Sequence, residues 1–184
     1  MRPLLLGLTV VALVAGCSND DVASRATNPD GTSAIQIRPV LGACTTVEPA
    51  TETSVAGQTT LPAQEAGWVQ LAGTDQWCQV GPTQADGTVF DSADVQNDPV
   101  DGWIVTASLR PGPTGQDLWN DVAAQCFDKA ATCPSGQLSI VVDGLAISVA
   151  SVEIPEFQGS IQISGTFTEA QARAIAGLIN AGSV

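Results

Sequence analysis

Five cysteines and no histidine set the chemistry open to this chain. Without an imidazole, Ser-His-Asp and Cys-His constellations cannot be built, and tyrosine is absent too. A Cys/His metal centre has neither a histidine nor a Cys-x-x-Cys to start from. Two kinds of thiol chemistry remain: a lipid thioether at one cysteine and disulfides among the others. Cys17 stands apart at the end of an apolar run, whereas Cys44, Cys78, Cys126 and Cys133 are spread through the body of the chain. Four cysteines allow three pairings.

Carboxylates are the other candidates. Asp86, Asp91, Asp94, Asp98 and Asp101 crowd one segment. Such acids can ligate Ca²⁺, but their spacing does not match an EF-hand loop, and a solvated turn accounts for them. A glycosidase needs two carboxylates set across a scissile bond, and nothing in the sequence singles out a pair. Neither a Gly-x-Ser-x-Gly elbow nor a phosphate-binding glycine loop is present. The reading is a non-enzymatic protein without a cofactor or metal.

Cys17 defines the first segment. Arg2 precedes an apolar run from Leu4 to Val14, which ends in Leu13-Val14-Ala15-Gly16-Cys17. The run has the length of a signal-peptide core and is short for a membrane span. The final residues resemble a bacterial lipobox, in which a cysteine receives a diacylglycerol thioether before cleavage on its N-terminal side. Residues 1–17 are therefore expected to be a lipoprotein signal peptide, with lipidated Cys17 retained. Each buried lipid CH₂ contributes about 0.8 kcal/mol, so two or three chains anchor stably. No later apolar run approaches the roughly 20 residues of a spanning helix. The mature protein is expected to hang from lipid on the outer face of the cytoplasmic membrane.

Residues 18–33 hold Asn, Asp, Ser, Pro, Gly and Thr with little apolar content, and read as a flexible tether. Its r.m.s. span is on the order of 22 Å, and roughly 55 Å when stretched. Residues 34–184 are one domain's worth of chain.

Charge narrows the partners. The chain carries 19 acidic and 6 basic residues, a net charge of −13. Losing Arg2 with the leader leaves 19 acids against 5 bases, a net charge of −14. Nucleic acid and anionic lipid surfaces are disfavoured partners, since both call for Lys and Arg clusters. Basic partners and solubility are favoured.

The elements that must position the cysteines come next. Residues 34–41 alternate Ile35, Ile37 and Pro39 against Gln36, Arg38 and Val40, a first strand. Residues 45–67 are rich in Thr, Ala, Glu, Gln and Pro and read as a long surface loop, with a helical turn near residues 62–66. A structureless loop of that length is unusual in a compact domain, and a disulfide across it would make it tolerable. Phe90 to Val95 is a candidate strand. Gly102 to Arg110 alternates strongly and forms another. Thr114 is expected to cap a helix running to about Lys129, with Leu118, Val122 and Cys126 on one face and Trp119 and Ala123 beside them. Cys126 then ends a helix and Cys133 precedes the next strand, so the two can meet across a short turn. Cys44 and Cys78 bracket the Thr-rich loop. The expected pairing is Cys44–Cys78 and Cys126–Cys133, in keeping with an exported domain.

The last third is the most strongly patterned. Leu138, Ile140 and Val142 alternate with Ser139 and Val141, the period of a half-buried strand. Asp143-Gly144 follows, a strong type I′ hairpin signal. If Val142 pairs with Leu145, then Ile140 meets Ile147, Leu138 meets Val149, and all six share a face. Pro155 and Gly159 bracket a loop. Residues 160–165 form a third strand with Ile161 and Ile163 inward. Thr168 and Gln171 have the spacing of a capping box. Ala172, Ile175, Ala176 and Ile179 share a helical face, and Gly182 suits the helix end.

In order, Val142 to Ser148 (Val-Asp-Gly-Leu-Ala-Ile-Ser) and Gly159 to Ala172 (Gly-Ser-Ile-Gln-Ile-Ser-Gly-Thr-Phe-Thr-Glu-Ala-Gln-Ala) resemble the preprotein translocase subunit SecD. The similarity is to the head subdomain of its first large extracytoplasmic domain. Ile37-Arg38-Pro39-Val40 resembles that head's opening Phe-Arg-Pro-Val, and Gly81-Pro82 resembles its Gly-Pro after the loop. The resemblance implies an α+β fold, head-like and ferredoxin-like, with a mainly antiparallel sheet and two principal helices packed on one face. It also implies contact with unfolded exported proteins or translocase subunits. The membrane spans and second lobe of SecD have no counterpart in these residues, so no proton-relay role carries over. The other class of reading is an envelope lipoprotein that uses the same fold to bind a cell-wall or small-molecule partner.

Overall fold

The computed structural model describes residues 34–47 and 66–182. The expected leader, the tether, most of the Thr-rich segment and its helical turn lie outside the described residues. Among the described residues are nine strands, two α-helices and a short 3-10 turn at Gly87–Val89. The strands are β1 (Ile35–Pro39), β2 (Gly67–Leu71), β3 (Trp77–Val80), β4 (Ala85–Asp86), β5 (Phe90–Asp98) and β6 (Gly102–Leu109). After helix α1 (Gln116–Phe127) come β7 (Gln137–Val142), β8 (Leu145–Ser151), β9 (Ser160–Phe167) and helix α2 (Glu169–Gly182). The fold is α+β and mainly antiparallel, and only the short pairing of β2 with β8 is parallel.

The strands form two sheets. One has the order β3-β2-β8-β7-β1-β4, the other β5-β6-β9. The first sheet curls until the chain leaving β1 reaches its far strand. Val40 bridges Val80, and Thr45 bridges Trp77. The Leu41 amide also donates to the Gln79 carbonyl at 2.8 Å. Inside this curl lies a small core of Val40, Val69, Cys78, Val80, Val141 and Ala146.

The larger core lies between the outer face of that sheet, the three-stranded sheet and both helices. Ile35, Ile37, Leu138, Ile140 and Val142 enter it from the first sheet, and Val105, Ala107, Ile161 and Ile163 from the second. β7 is therefore buried on both faces and not half-buried. Its alternation is apolar on one side and Ser139 with Val141 on the other, and both Ser139 and Val141 are sealed in.

The Asp143-Gly144 turn has positive φ at both central residues, 49° and 79°, the requirement of a type I′ turn. Val142 pairs with Leu145. Beyond that pair the register departs from simple alternation, because a β-bulge lies between Ile140 and Val141. Ile140 faces Ser148 and Leu138 faces Ala150, so Ile147 is the extra residue. A bulge bends the strand and increases its twist, which suits a sheet that must curl round a small core.

Both helices keep the expected faces with one shift. α2 buries Ala172, Ile175, Ala176, Leu178 and Ile179. At its start the Gln171 side chain accepts from the Thr168 amide at 2.8 Å, and the Thr168 hydroxyl accepts from the Gln171 amide at 3.3 Å. α1 buries Trp119, Val122, Ala123 and Cys126, with Leu118 only half-buried. Thr114 does not cap it. The N-cap is Gly115, with no side-chain bond, and the Gln116 amide donates instead to the Arg110 carbonyl at 2.7 Å. A Cβ at Gly115 would collide with that carbonyl, so the close approach requires glycine.

Candidate functional site

The cysteines of the body pair within the described residues. Cys44 joins Cys78 with Cα atoms 4.2 Å apart, and Cys126 joins Cys133 with Cα atoms 4.8 Å apart. The first bridge ties the chain after β1 to β3 beside the small core. The second closes the turn from α1 towards β7. Both are structural cross-links within the domain, and Cys17 lies outside the described residues.

The acidic segment does not converge. Asp86 caps the turn after β4, accepting from the Thr88 amide at 2.9 Å and the Thr88 hydroxyl at 2.6 Å. Asp98 fixes the turn between β5 and β6, accepting from the Val100 amide at 2.7 Å and the Asp101 amide at 3.0 Å. The bonds from Asp101 and Val100 hold the Asp98 carboxyl below its ordinary pKa. Among the described residues no three His, Cys, Asp or Glu side chains come together as a metal cluster.

What the structure does assemble is a partly exposed apolar row that the alternation pattern does not show. Gln70 of β2 lies opposite Trp77 of β3 and opposite Leu145 of β8, while Trp68 lies opposite Gln79. Directly paired residues share a face, as do residues two apart in a strand. Val69, Cys78, Val80 and Ala146 point the other way, into the small core. Trp68, Trp77 and Leu145 therefore stand together on the outer face of the curled sheet, beyond its cover over β1 and β7. Trp68 is 42% exposed and Leu145 44%. Gln70 and Gln79 separate the two indoles. A tryptophan combines a large apolar body with one N–H donor, which suits a surface that is wet until a partner arrives.

Strand edges are a second place where a polypeptide can dock. β3 is bonded on both sides, since Trp77 exchanges both backbone bonds with Thr45 at 2.7 and 2.8 Å. β9 faces β8, and the Ser148 hydroxyl donates to the Ser164 carbonyl at 3.1 Å. On β5 the Asn180 side chain of α2 takes both groups of one residue. It accepts from the Ala93 amide at 2.8 Å and donates to the Ala93 carbonyl at 3.0 Å.

One buried polar link joins two of the sequence motifs. Arg38 is only 8% exposed, and its Nε donates to the Gly81 carbonyl at 2.8 Å. Burial pulls the Arg38 pKa below its usual value. Its partner across the strand pair, Ser139, donates its hydroxyl to the Arg38 carbonyl at 2.8 Å.

No helix of the described residues is long and apolar enough to cross a membrane. No curated protein matches this chain. Among solved structures similar to it are two of SecDF. One, a membrane component SecDF that enhances protein export, is 23% identical, with a TM-score of 0.47 over 56% of this chain and 43% of that one. The other, SecDF in a super-membrane-facing form, is 17% identical, with a TM-score of 0.53 over 81% of this chain and 19% of that one. The chain thus spans less than half the length of either, and the second likeness shows a shared fold. The family model described as SecDF, P1 head subdomain, matches residues 68–184, from the first exposed tryptophan through β9 and α2. This chain belongs to the SecDF P1 head subdomain family.

Proposed function

We propose that this chain is a non-enzymatic, membrane-anchored head domain that contacts exported polypeptides, or the machinery exporting them, outside the membrane. In this reading residues 1–17 are a lipoprotein leader, Cys17 carries the lipid, residues 18–33 are the tether and residues 34–184 the binding domain. Its place is the outer face of the cytoplasmic membrane. Two disulfides suit that oxidising side. The observation that carries the reading is the row of exposed Trp68 and Leu145 with half-buried Trp77 on a member of the P1 head family. An unfolded chain in transit offers the apolar side chains such a row can cover.

A photo-crosslinker at position 68 of the full chain in native membranes tests this. Recovery of nascent exported chains or translocase subunits is expected, with the yield falling for Trp77→Ala. Recovery of folded envelope proteins alone, with no exported chain, would refute it. A second reading is favoured by the glutamines: two indoles separated by Gln70 and Gln79 also suit stacking on sugar rings of the cell wall. Protection of Trp68 fluorescence by soluble wall fragments would support that alternative.

A further inference from the structure

Asn180 shows which way the backbone of β5 points. The Ala93 amide and carbonyl are both bonded to the Asn180 side chain. They therefore face away from β6, and Ala93 opposite Ala107 is a pair without mutual hydrogen bonds. From Ala93 to Asp98 the register against β6 runs without a shift. In an antiparallel ladder bonded and unbonded pairs alternate, so Val95 and Asn97 turn their amides and carbonyls outward as Ala93 does. Among the described residues no side chain answers them. Gln96 and Asn97 are exposed and Val95 half-buried.

The surroundings of this edge are acidic. Asp91 and Asp94 lie on β5, with Asp98 and Asp101 at the following turn, and no Lys or Arg occurs from Phe90 to Leu109. On α2, packed beside β5, Arg173 is bonded to Glu169 at 2.7 Å. Two copies of such an edge repel one another, while an extended basic segment is attracted.

We propose that the outer edge of β5 at Val95 and Asn97 accepts an extended, Lys- or Arg-bearing polypeptide segment by strand addition. Asn180 ends the added strand by occupying Ala93. The acids select for basic side chains, and the four outward backbone groups give affinity without regard to sequence. This rests on the polypeptide-binding reading above and names its register and charge class. It uses a surface separate from the Trp68 row.

The test adds a short alternating Lys-Val peptide to the full chain and follows amide exchange residue by residue. Slowed exchange at Val95 and Asn97 is expected, with binding about tenfold weaker when Glu replaces Lys in the peptide. N-methylation of alternate peptide amides should abolish it. Asn97→Pro removes one outward donor at an exposed edge position, where proline is tolerated, and should weaken binding. Asn180→Ala frees Ala93 and should strengthen it. The unmodified protein's exchange map decides the matter even if a variant fails to fold. Protection elsewhere, or equal binding of the Glu and Lys peptides, overturns the proposal. Exported chains crosslinking at position 68 while β5 stays unprotected would remove this edge and leave the broader reading standing.

Discussion

Arg38 and Gly81 hold each other through a buried contact between two motifs far apart in sequence. Arg38 Nε donates to the Gly81 carbonyl, and the Gly81 amide donates to the Pro39 carbonyl, both at 2.8 Å. A Cβ on Gly81 would lie 2.9 Å from Pro39 Cγ, so the approach leaves no room for a side chain. The Ile-Arg-Pro-Val and Gly-Pro strings thus have one structural purpose, the seam where the first sheet closes. Arg38→Met leaves a buried carbonyl without its donor and should destabilise by about 1–3 kcal/mol. Gly81→Ala should also destabilise. Denaturant titration checks both, and an unchanged midpoint in each would show that the seam carries no stability.

The Asp143-Gly144 turn is open to a separate check. Nothing lies within 4 Å of a Cβ at Gly144, so space is not the issue there, but its φ is +79°. Gly144→Val should cost about 1–3 kcal/mol through backbone strain alone. Gly144→Asn, which tolerates positive φ, should recover part of that. Equal melting temperatures for the Val and Asn variants would contradict the argument.

The Cys44–Cys78 bridge has a sequence separation of 34. In the chain-entropy model it should contribute on the order of 3–4 kcal/mol, and the Cys126–Cys133 bridge less. Replacing Cys44 and Cys78 together by serine should release the 40–47 segment from β3 first, with the Asp143-Gly144 hairpin still protected in hydrogen exchange. Peptide mapping without reductant checks the pairing. A link from Cys44 to Cys126 or Cys133 would defeat it.

Asp98 gives a pH prediction with a definite sign. Its folded-state pKa is lowered by the bonds from Asp101 and Val100. A lowered carboxyl pKa contributes stability that is present above the unfolded value of about 3.9 and is lost as pH falls through the folded value. Carboxyl titration by NMR should place Asp98 below that ordinary value. In Asp98→Ala the acid dependence of the β5–β6 turn should vanish. A titration at or above the ordinary value would remove the turn's dependence on this side chain.

Local chemistry is what made parts of this fold legible. Asp143-Gly144 and the Thr168–Gln171 box are complete within a few residues, and the structure has both. The hairpin register was not legible, because a bulge at Ile140 and Val141 depends on how far the sheet must bend. β2 and β3 escaped for another reason. In Trp68-Val69-Gln70-Leu71 the outward residue is a tryptophan, so apolar side chains point both ways and the two-residue period is blurred. The same blur hid the partly exposed row. The apolar alternation of β5 ends at Val95 while the strand continues to Asp98, since its last residues pair through backbone while their side chains stay polar. The cap of α1 depends on Arg110, whose carbonyl comes from β6's end and not from the helix's own sequence.

The position of β1 has a consequence in time. It lies between β7 and β4, with Ile35 opposite Val142 and Gln36 opposite Asp86. A ribosome, or any pore that feeds the chain N-terminus first, delivers β1 early and its main neighbour late. The first strand can pair early with β4, but its β7 edge must wait until Val142 has emerged, a long-range closure of the kind that slows folding. Closing the sheet then draws β7 onto a strand made about a hundred residues earlier. The domain behaves as a latch that cannot shut until β7 is through.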